Sequence, residues 1–215
     1  EFALGDVYYQ GKGVPVDFEE AAIWYRRAAE QDPVRAQVAL AFMNLKGTGV
    51  PESTAEAARL FQNAARHDDP IALYNIGLLR LNGQGVAKNT DQAETALRKA
   101  ARKDYLPAIQ ALADFYSHGV GSAPDLREAA VWYEKAAERG DVQAQFFMGR
   151  FCATGTGVGP NIRQAARWFE RAAENGHATA AFNIAIFYLN GTGVERNVEA
   201  AIEWFERASE RGIAA

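Results

Sequence analysis

Six glycine pairs recur along this 215-residue chain at one fixed interval. Their first members are Gly11, Gly47, Gly83, Gly119, Gly155 and Gly191, each 36 residues after the last. Five pairs read Gly-X-Gly-Val, and the fourth reads Gly119-Val120-Gly121-Ser122. A period between about twenty and fifty residues marks an array of stacked supersecondary units rather than one closed core. In such an array, function lies on an extended surface more readily than in a single catalytic pocket.

The repeat divides the chain into residues 1–33 (a partial unit), 34–69, 70–105, 106–141, 142–177 and 178–215. Positions are compared below by their register in 34–69. Ala36, Leu40, Ala41, Met43 and Gly47 fall on one stripe at helical spacing, which predicts a first helix of about 12 residues. Register 41 holds only Gly or Ala (Gly5, Ala41, Gly77, Ala113, Gly149, Ala185), as expected where two helix backbones meet closely. Register 43 (Val7, Met43, Leu79, Phe115, Phe151, Phe187) is expected to be buried throughout. The first glycine of each pair ends this helix in the left-handed region.

A second helix starts at Asp17, Ser53, Asn89, Asp125, Asn161 and Asn197, all strong N-cap residues. Three residues later stand Glu20, Glu56, Gln92, Glu128 and Gln164, which predicts a capping box in five repeats; Ala200 departs from it. These helices should stop at Gly140, Gly176 and Gly212, and at the weaker terminators Asp32, Asp68 and Asp104. A lone helix pair cannot bury both faces, so the pairs must stack. The expected fold is all-α: twelve helices in a right-handed α/α solenoid, with the loop valine tucked between helices. Ser122 replaces that valine in the fourth repeat, so that loop should sit differently. Residue 1 falls inside a first helix, and Ala215 precedes the next expected repeat, as in a piece of a longer protein.

Composition excludes several functions. Net charge is −4 with signs interspersed, unlike the basic footprint of a nucleic-acid binder. No apolar run reaches the roughly 20 residues that a membrane span requires. The single cysteine, Cys152, excludes an intramolecular disulfide and a thiolate cluster, and its register reads as a buried, inert thiol. His67, His118 and His177 occupy three different registers and should be solvated or at helix ends, with no metal between them. The glycine loops lack both the preceding strand and the Gly-Lys-Ser/Thr of a phosphate cradle. The charged residues Glu19, Glu20, Arg26, Arg27, Glu203, Glu206 and Arg207 read as the solvated back of second helices. No catalytic residue, cofactor or metal site is predicted.

First helices line the concave side of such an array. Registers 38, 42, 45 and 46 lie off the core stripe and carry aromatic and charged residues, the chemistry of a peptide groove. The candidate binding residues are Phe42, Lys46, Tyr74, Asn75, Leu78, Asp114, Phe146, Arg150, Phe182 and Asn183. Asn75 and Asn183 follow an aromatic, where an amide suits an extended peptide backbone. The alternative is that the register-38 aromatics simply pack against the adjacent repeat.

Leu4-Gly5, Tyr8, Gly11-X-Gly13-Val14, Asp17, Ala21, Trp24-Tyr25 and Ala28-Ala29 recur as Met148-Gly149, Gly155-X-Gly157-Val158, Asn161, Ala165, Trp168-Phe169 and Ala172-Ala173. This set resembles the Sel1-like repeat, a relative of the tetratricopeptide repeat, and the resemblance covers the whole chain. It implies a scaffold that binds a protein or peptide partner, in a bacterial envelope, signalling or polarity assembly. It points towards an exported protein, with the cytoplasm left open. A cysteine-rich branch of the family has been linked to penicillin binding, and a hydrolase of that type is an alternative, although this chain lacks those cysteines. A rigid spacer that self-associates through uncapped ends, near Trp204 and Phe205, is a further alternative. The third repeat departs most, with Ala96-Leu97 where Trp-Tyr is usual, so its second helix should bury less area and be the softest point.

Overall fold

The computed structural model describes residues 1–31 and 33–213. Among the described residues there are twelve α-helices and no strand. Pairs α1 (Phe2–Gln10) with α2 (Phe18–Gln31), α3 (Pro33–Lys46) with α4 (Thr54–Ala65), and α5 (Pro70–Asn82) with α6 (Thr90–Arg102) make the first three repeats. Pairs α7 (Leu106–His118) with α8 (Leu126–Glu138), α9 (Val142–Thr154) with α10 (Ile162–Glu174), and α11 (Ala178–Asn190) with α12 (Val198–Glu210) make the last three. The chain forms two compact units, Glu1–Ala108 and Ile109–Ala215, whose boundary falls within α7. In the first, each helix from α1 to α5 packs on its successor; in the second, so does each from α8 to α11.

Every predicted second-helix N-cap is made. The side chains of Asp17, Ser53, Asn89, Asp125, Asn161 and Asn197 accept from the backbone N–H three residues on, at 2.9–3.2 Å. The return arm of the capping box is not made. Each cap residue's own N–H donates instead to the register-44 carbonyl of its repeat's first helix, as Asn161 does to Cys152 at 2.8 Å. That bond recurs in all six repeats and closes the loop between the paired helices. It also explains why Ala200 is tolerated where the box calls for Glu or Gln.

The two glycines of each pair have different tasks. Gly155, at φ 74°, ends α9, and the N–H groups of Gly155 and Thr156 both donate to the Phe151 carbonyl. Gly157, at φ 70°, faces the first turn of α8: a Cβ there would collide with the Leu126 carbonyl at the start of the preceding repeat's second helix. Gly49 against Phe18, Gly85 against Thr54 and Gly193 against Ile162 repeat the relationship. The pair therefore ends one helix and also lets neighbouring repeats close together.

Some expectations need correction. Register 41 is fully buried, but the close neighbour is a side chain rather than a backbone. A Cβ on Gly5 would lie 2.6 Å from the Tyr25 ring, and one on Gly149 would lie 2.5 Å from the Phe169 ring. Register 43 is buried at Met43, Leu79 and Phe115 only; Val7, Phe151 and Phe187 are half-buried. Of the loop valines Val50 alone is buried, and Val14, Val86, Val158 and Val194 are half-buried. In the fourth loop Ser122 is exposed and its N–H turns back to the Gly119 carbonyl at 3.4 Å, while the closing bond from Asp125 to Tyr116 is kept. Asp68 and Asp104 do take the left-handed conformation, at φ 56° and 58°. Asp32 and Ala215 lie outside the described residues.

Candidate functional site

The register-38 aromatics Phe2, Tyr74 and Phe146 meet residues at, or just before, the start of the next first helix. Tyr74 meets Tyr105 edge to face at 5.5 Å, and Phe146 stacks on His177 at 4.3 Å. Phe2 lies beneath the Arg35 guanidinium at 4.5 Å. Within their own repeats, Phe42 meets Phe61 at 5.2 Å and Phe182 meets Phe205 at 5.4 Å. Packing thus engages each ring, while all of them keep partial exposure. Asn75 donates its amide to the Ile71 carbonyl of its own helix at 2.8 Å, which leaves its oxygen available. Leu78 and Asn183 are half-buried, and Lys46, Asp114 and Arg150 are exposed. Arg150 sits 6.0 Å from the Phe146 ring, so those two candidates do come together.

Asp114 belongs to a constellation that its register alone does not reveal. Tyr133 on α8 donates to Asp114 Oδ1 at 2.9 Å. Gln110, one turn before Asp114, donates to Asp141 Oδ2 at 2.6 Å. The other oxygen of Asp141 accepts from Ala144 N–H and caps α9. Together with Gln143, Ala136, Ala144 and Phe147 these residues line a pocket of about 200 Å³. It carries two carboxylates and no basic side chain among its lining residues. Each carboxylate offers about four lone-pair positions, so neither is saturated by the bonds described. Burial pushes the Tyr133 hydroxyl up to about 12; its bond to Ser117 works against this rise and that to Asp114 adds to it. Tyr133 is therefore a neutral donor at ordinary pH.

Asp141, Gln143, Tyr133 and Phe147 were not among the predicted residues. Tyr133 stands at a second-helix position that reads as core, although one signal was present. Tyrosine occurs at register 61 only in the two repeats with aspartate at register 42, Asp6 with Tyr25 and Asp114 with Tyr133.

The remaining candidates for chemistry are structural. His177 caps α11, its Nδ1 accepting from Ala180 N–H at 3.1 Å. His118 is the last residue of α7 and bonds the Asp114 carbonyl at 2.8 Å, while His67 is exposed in a turn. Burial raises the Cys152 thiol above its usual range, so the nucleophilic thiolate is disfavoured. In the glycine loops the first N–H groups are spent on helix carbonyls, which removes the donors a phosphate cradle needs. Among the described residues no helix is long and apolar enough to cross a membrane. Among the described residues no three His, Cys, Asp or Glu side chains are placed to share a metal ion.

Helix pairs that recur every 36 residues, each with a capped second helix and a glycine loop between its helices, define an α/α repeat protein. The family model for the Sel1 repeat matches residues 1–33, 34–69, 70–105, 106–141, 142–177 and 178–213, and the chain belongs to that family. It is similar to the crystal structure of a protective antigen from uropathogenic Escherichia coli that displays an SLR fold. Identity is 31% and the TM-score 0.89, over 99% of this chain and 45% of that one. This chain thus spans under half the length of the antigen. A Sel1 repeat protein from Oxalobacter formigenes is also similar, at 31% identity and a TM-score of 0.72, over 99% of this chain and 85% of that one. Among curated proteins none matches. Sel1 repeat proteins are in general non-catalytic scaffolds for protein interaction.

Proposed function

We propose that the chain binds a partner protein along its first helices, and that the pocket at Asp114 receives a basic side chain of that partner. The observation that carries this reading is the pocket's charge: Asp114 and Asp141 line it, with Gln110 and Gln143 as further polar groups. An arginine or lysine fits because carboxylates accept charge-assisted hydrogen bonds and the chain has already oriented both groups. Phe147 and the half-exposed ring of Phe146 offer apolar contact alongside. Within the first unit taken by itself, Lys46, Tyr74, Asn75 and Leu78 are the first-helix candidates, and within the second Phe182 and Asn183 accompany the pocket. The likeness to a bacterial protective antigen supports an exported setting.

Selection of a random displayed peptide library on the immobilised chain tests this reading. Enriched peptides should carry Arg or Lys, and Asp114→Asn should weaken them roughly tenfold, the cost of one charge-assisted bond. Enrichment without basic residues, or affinity indifferent to Asp114→Asn, would remove the pocket from the interface.

A further inference from the structure

A different slot, on the second-helix side of the first unit, shows a graded vacancy. Its lining comes from the same registers in two successive repeats. Where the first and second repeats meet, Arg26, Ala29, Gln37, Leu40, Leu60 and Asn63 contribute to a pocket of about 300 Å³. Where the second and third meet, the corresponding Gln62, Ala65, Leu73, Ile76, Ala96 and Lys99 contribute to one of about 570 Å³. Register 60 differs between them: Leu60 stands in the first slot and the smaller Ala96 in the second. The remaining repeats have Trp24, Trp132, Trp168 and Trp204 there, and the last three indoles are at most 9% exposed.

Register 63 sharpens the point. Wherever register 60 is tryptophan, register 63 is a cation lying over its ring: Arg27 at 4.9 Å, Lys135 at 4.4 Å, Arg171 at 5.1 Å and Arg207 at 4.5 Å. The second repeat lacks the tryptophan and also the cation, having Leu60 and Asn63. The third repeat keeps the cation, Lys99, but Ala96 gives it no ring to cover. Lys99 is exposed and lines the vacancy. The pocket also has buried apolar residues, Leu73 and Ile76, and two further cations, Arg66 and Arg80, against the single carboxylate of Asp91.

We propose that this pocket is a docking site for a tryptophan side chain presented by an acidic segment of a partner protein. The indole enters at Ala96, where the chain's own repeats place theirs, and rests on Leu73 and Ile76. Lys99 covers it as Lys135 covers Trp132, a contact favoured by the ring's negative face. Arg66 and Arg80 attract acidic residues flanking the tryptophan, which sets the sign of the peptide. A volume of about 570 Å³ lies within the usual range of sites for small ligands, about 300–1,000 Å³. The proposal shares with the preceding one only the premise of a protein partner. None of the first-helix candidate residues lines this pocket, so each can fail without the other.

Calorimetric titration of the 215-residue chain with the peptide acetyl-Glu-Glu-Trp-Glu-Glu-amide is the test. The expected result is saturable binding at least tenfold tighter than that of the same peptide with alanine for tryptophan, or with lysine for glutamate. Ala96→Trp should abolish it and raise the melting temperature, because the chain then fills its own slot. Ala96→Leu, which copies the second repeat, should weaken binding while leaving the fold intact. Lys99→Gln should weaken it several-fold. Absence of binding, equal binding of the alanine peptide, or undiminished binding to Ala96→Leu would each overturn the proposal.

Discussion

The Tyr133 hydroxyl on α8 donates 2.9 Å to Asp114 on α7, and Tyr25 on α2 makes the same bond, at 2.7 Å, to Asp6 on α1. In the other four repeats, the same two registers hold Phe42 with Phe61, Leu78 with Leu97, Arg150 with Phe169 and Ile186 with Phe205. The hydroxyl is present only where a carboxylate waits for it. Because burial, and secondarily the bond to Asp114, makes the folded chain hold the Tyr133 proton more tightly than the unfolded chain does, the protonated hydroxyl favours the fold fully below about pH 10, the ordinary tyrosine value. The contribution disappears as pH rises through about 12. Ultraviolet titration should show a late tyrosine that Asp114→Asn moves towards the ordinary range. A titration unmoved by Asp114→Asn would mean that the carboxylate has no hold on the hydroxyl.

The second glycines offer a test of how repeats join. Alanine at Gly13, φ 78°, meets no atom within 4 Å, so only the left-handed backbone resists it, at about 1–2 kcal/mol. Alanine at Gly157 meets the Leu126 carbonyl as well. Gly157→Ala should therefore cost about 3 kcal/mol or more, among the larger single-substitution effects. Denaturant unfolding of the two variants separates these outcomes, and equal losses would deny the close approach.

Asn161→Ala should destabilise α10 by about 1 kcal/mol, since its side chain accepts from Gln164 N–H at 3.0 Å. Gln164→Ala should change stability by less than about 0.5 kcal/mol, because the Asn161 N–H already donates to Cys152. Thermal unfolding of the pair would contradict the half-made box if the two losses were alike.

His177 accepts through Nδ1, so its proton resides on Nε2, 3.3 Å from Gln143 Oε1. Burial lowers its affinity for a second proton. The cap therefore stabilises α11 above the ordinary histidine value near 6.5 and is lost as pH falls below it. Hydrogen exchange at Ala180 should accelerate on acidification. In His177→Asn, whose cap does not titrate, the acceleration should vanish; its persistence would place the acid-sensitive group elsewhere.

Repeat, helix and cap positions were legible because their causes are local: a glycine at φ above zero, a cap side chain three residues from its donor, and apolar residues at helical spacing. What was not legible came from contacts between elements. The return arm of the capping box lost its N–H to a carbonyl on another helix, as at Asn161 and Cys152. Likewise, the pattern placed Tyr74 and Phe146 off the core stripe but could not show Tyr105 and His177 coming to cover them. The pocket at Asp114 needed three helices, so its residues stood at registers that separately read as core, cap and surface.

The most direct measurement is chemical-shift mapping of the isotopically labelled chain with a lysine- or arginine-bearing peptide taken from the library selection. Shifts should concentrate at Gln110, Asp114, Gln143 and Phe147, leaving Arg163 and Arg167 on α10 unmoved. Shifts centred on α10, or scattered without saturation, would contradict binding on the first helices.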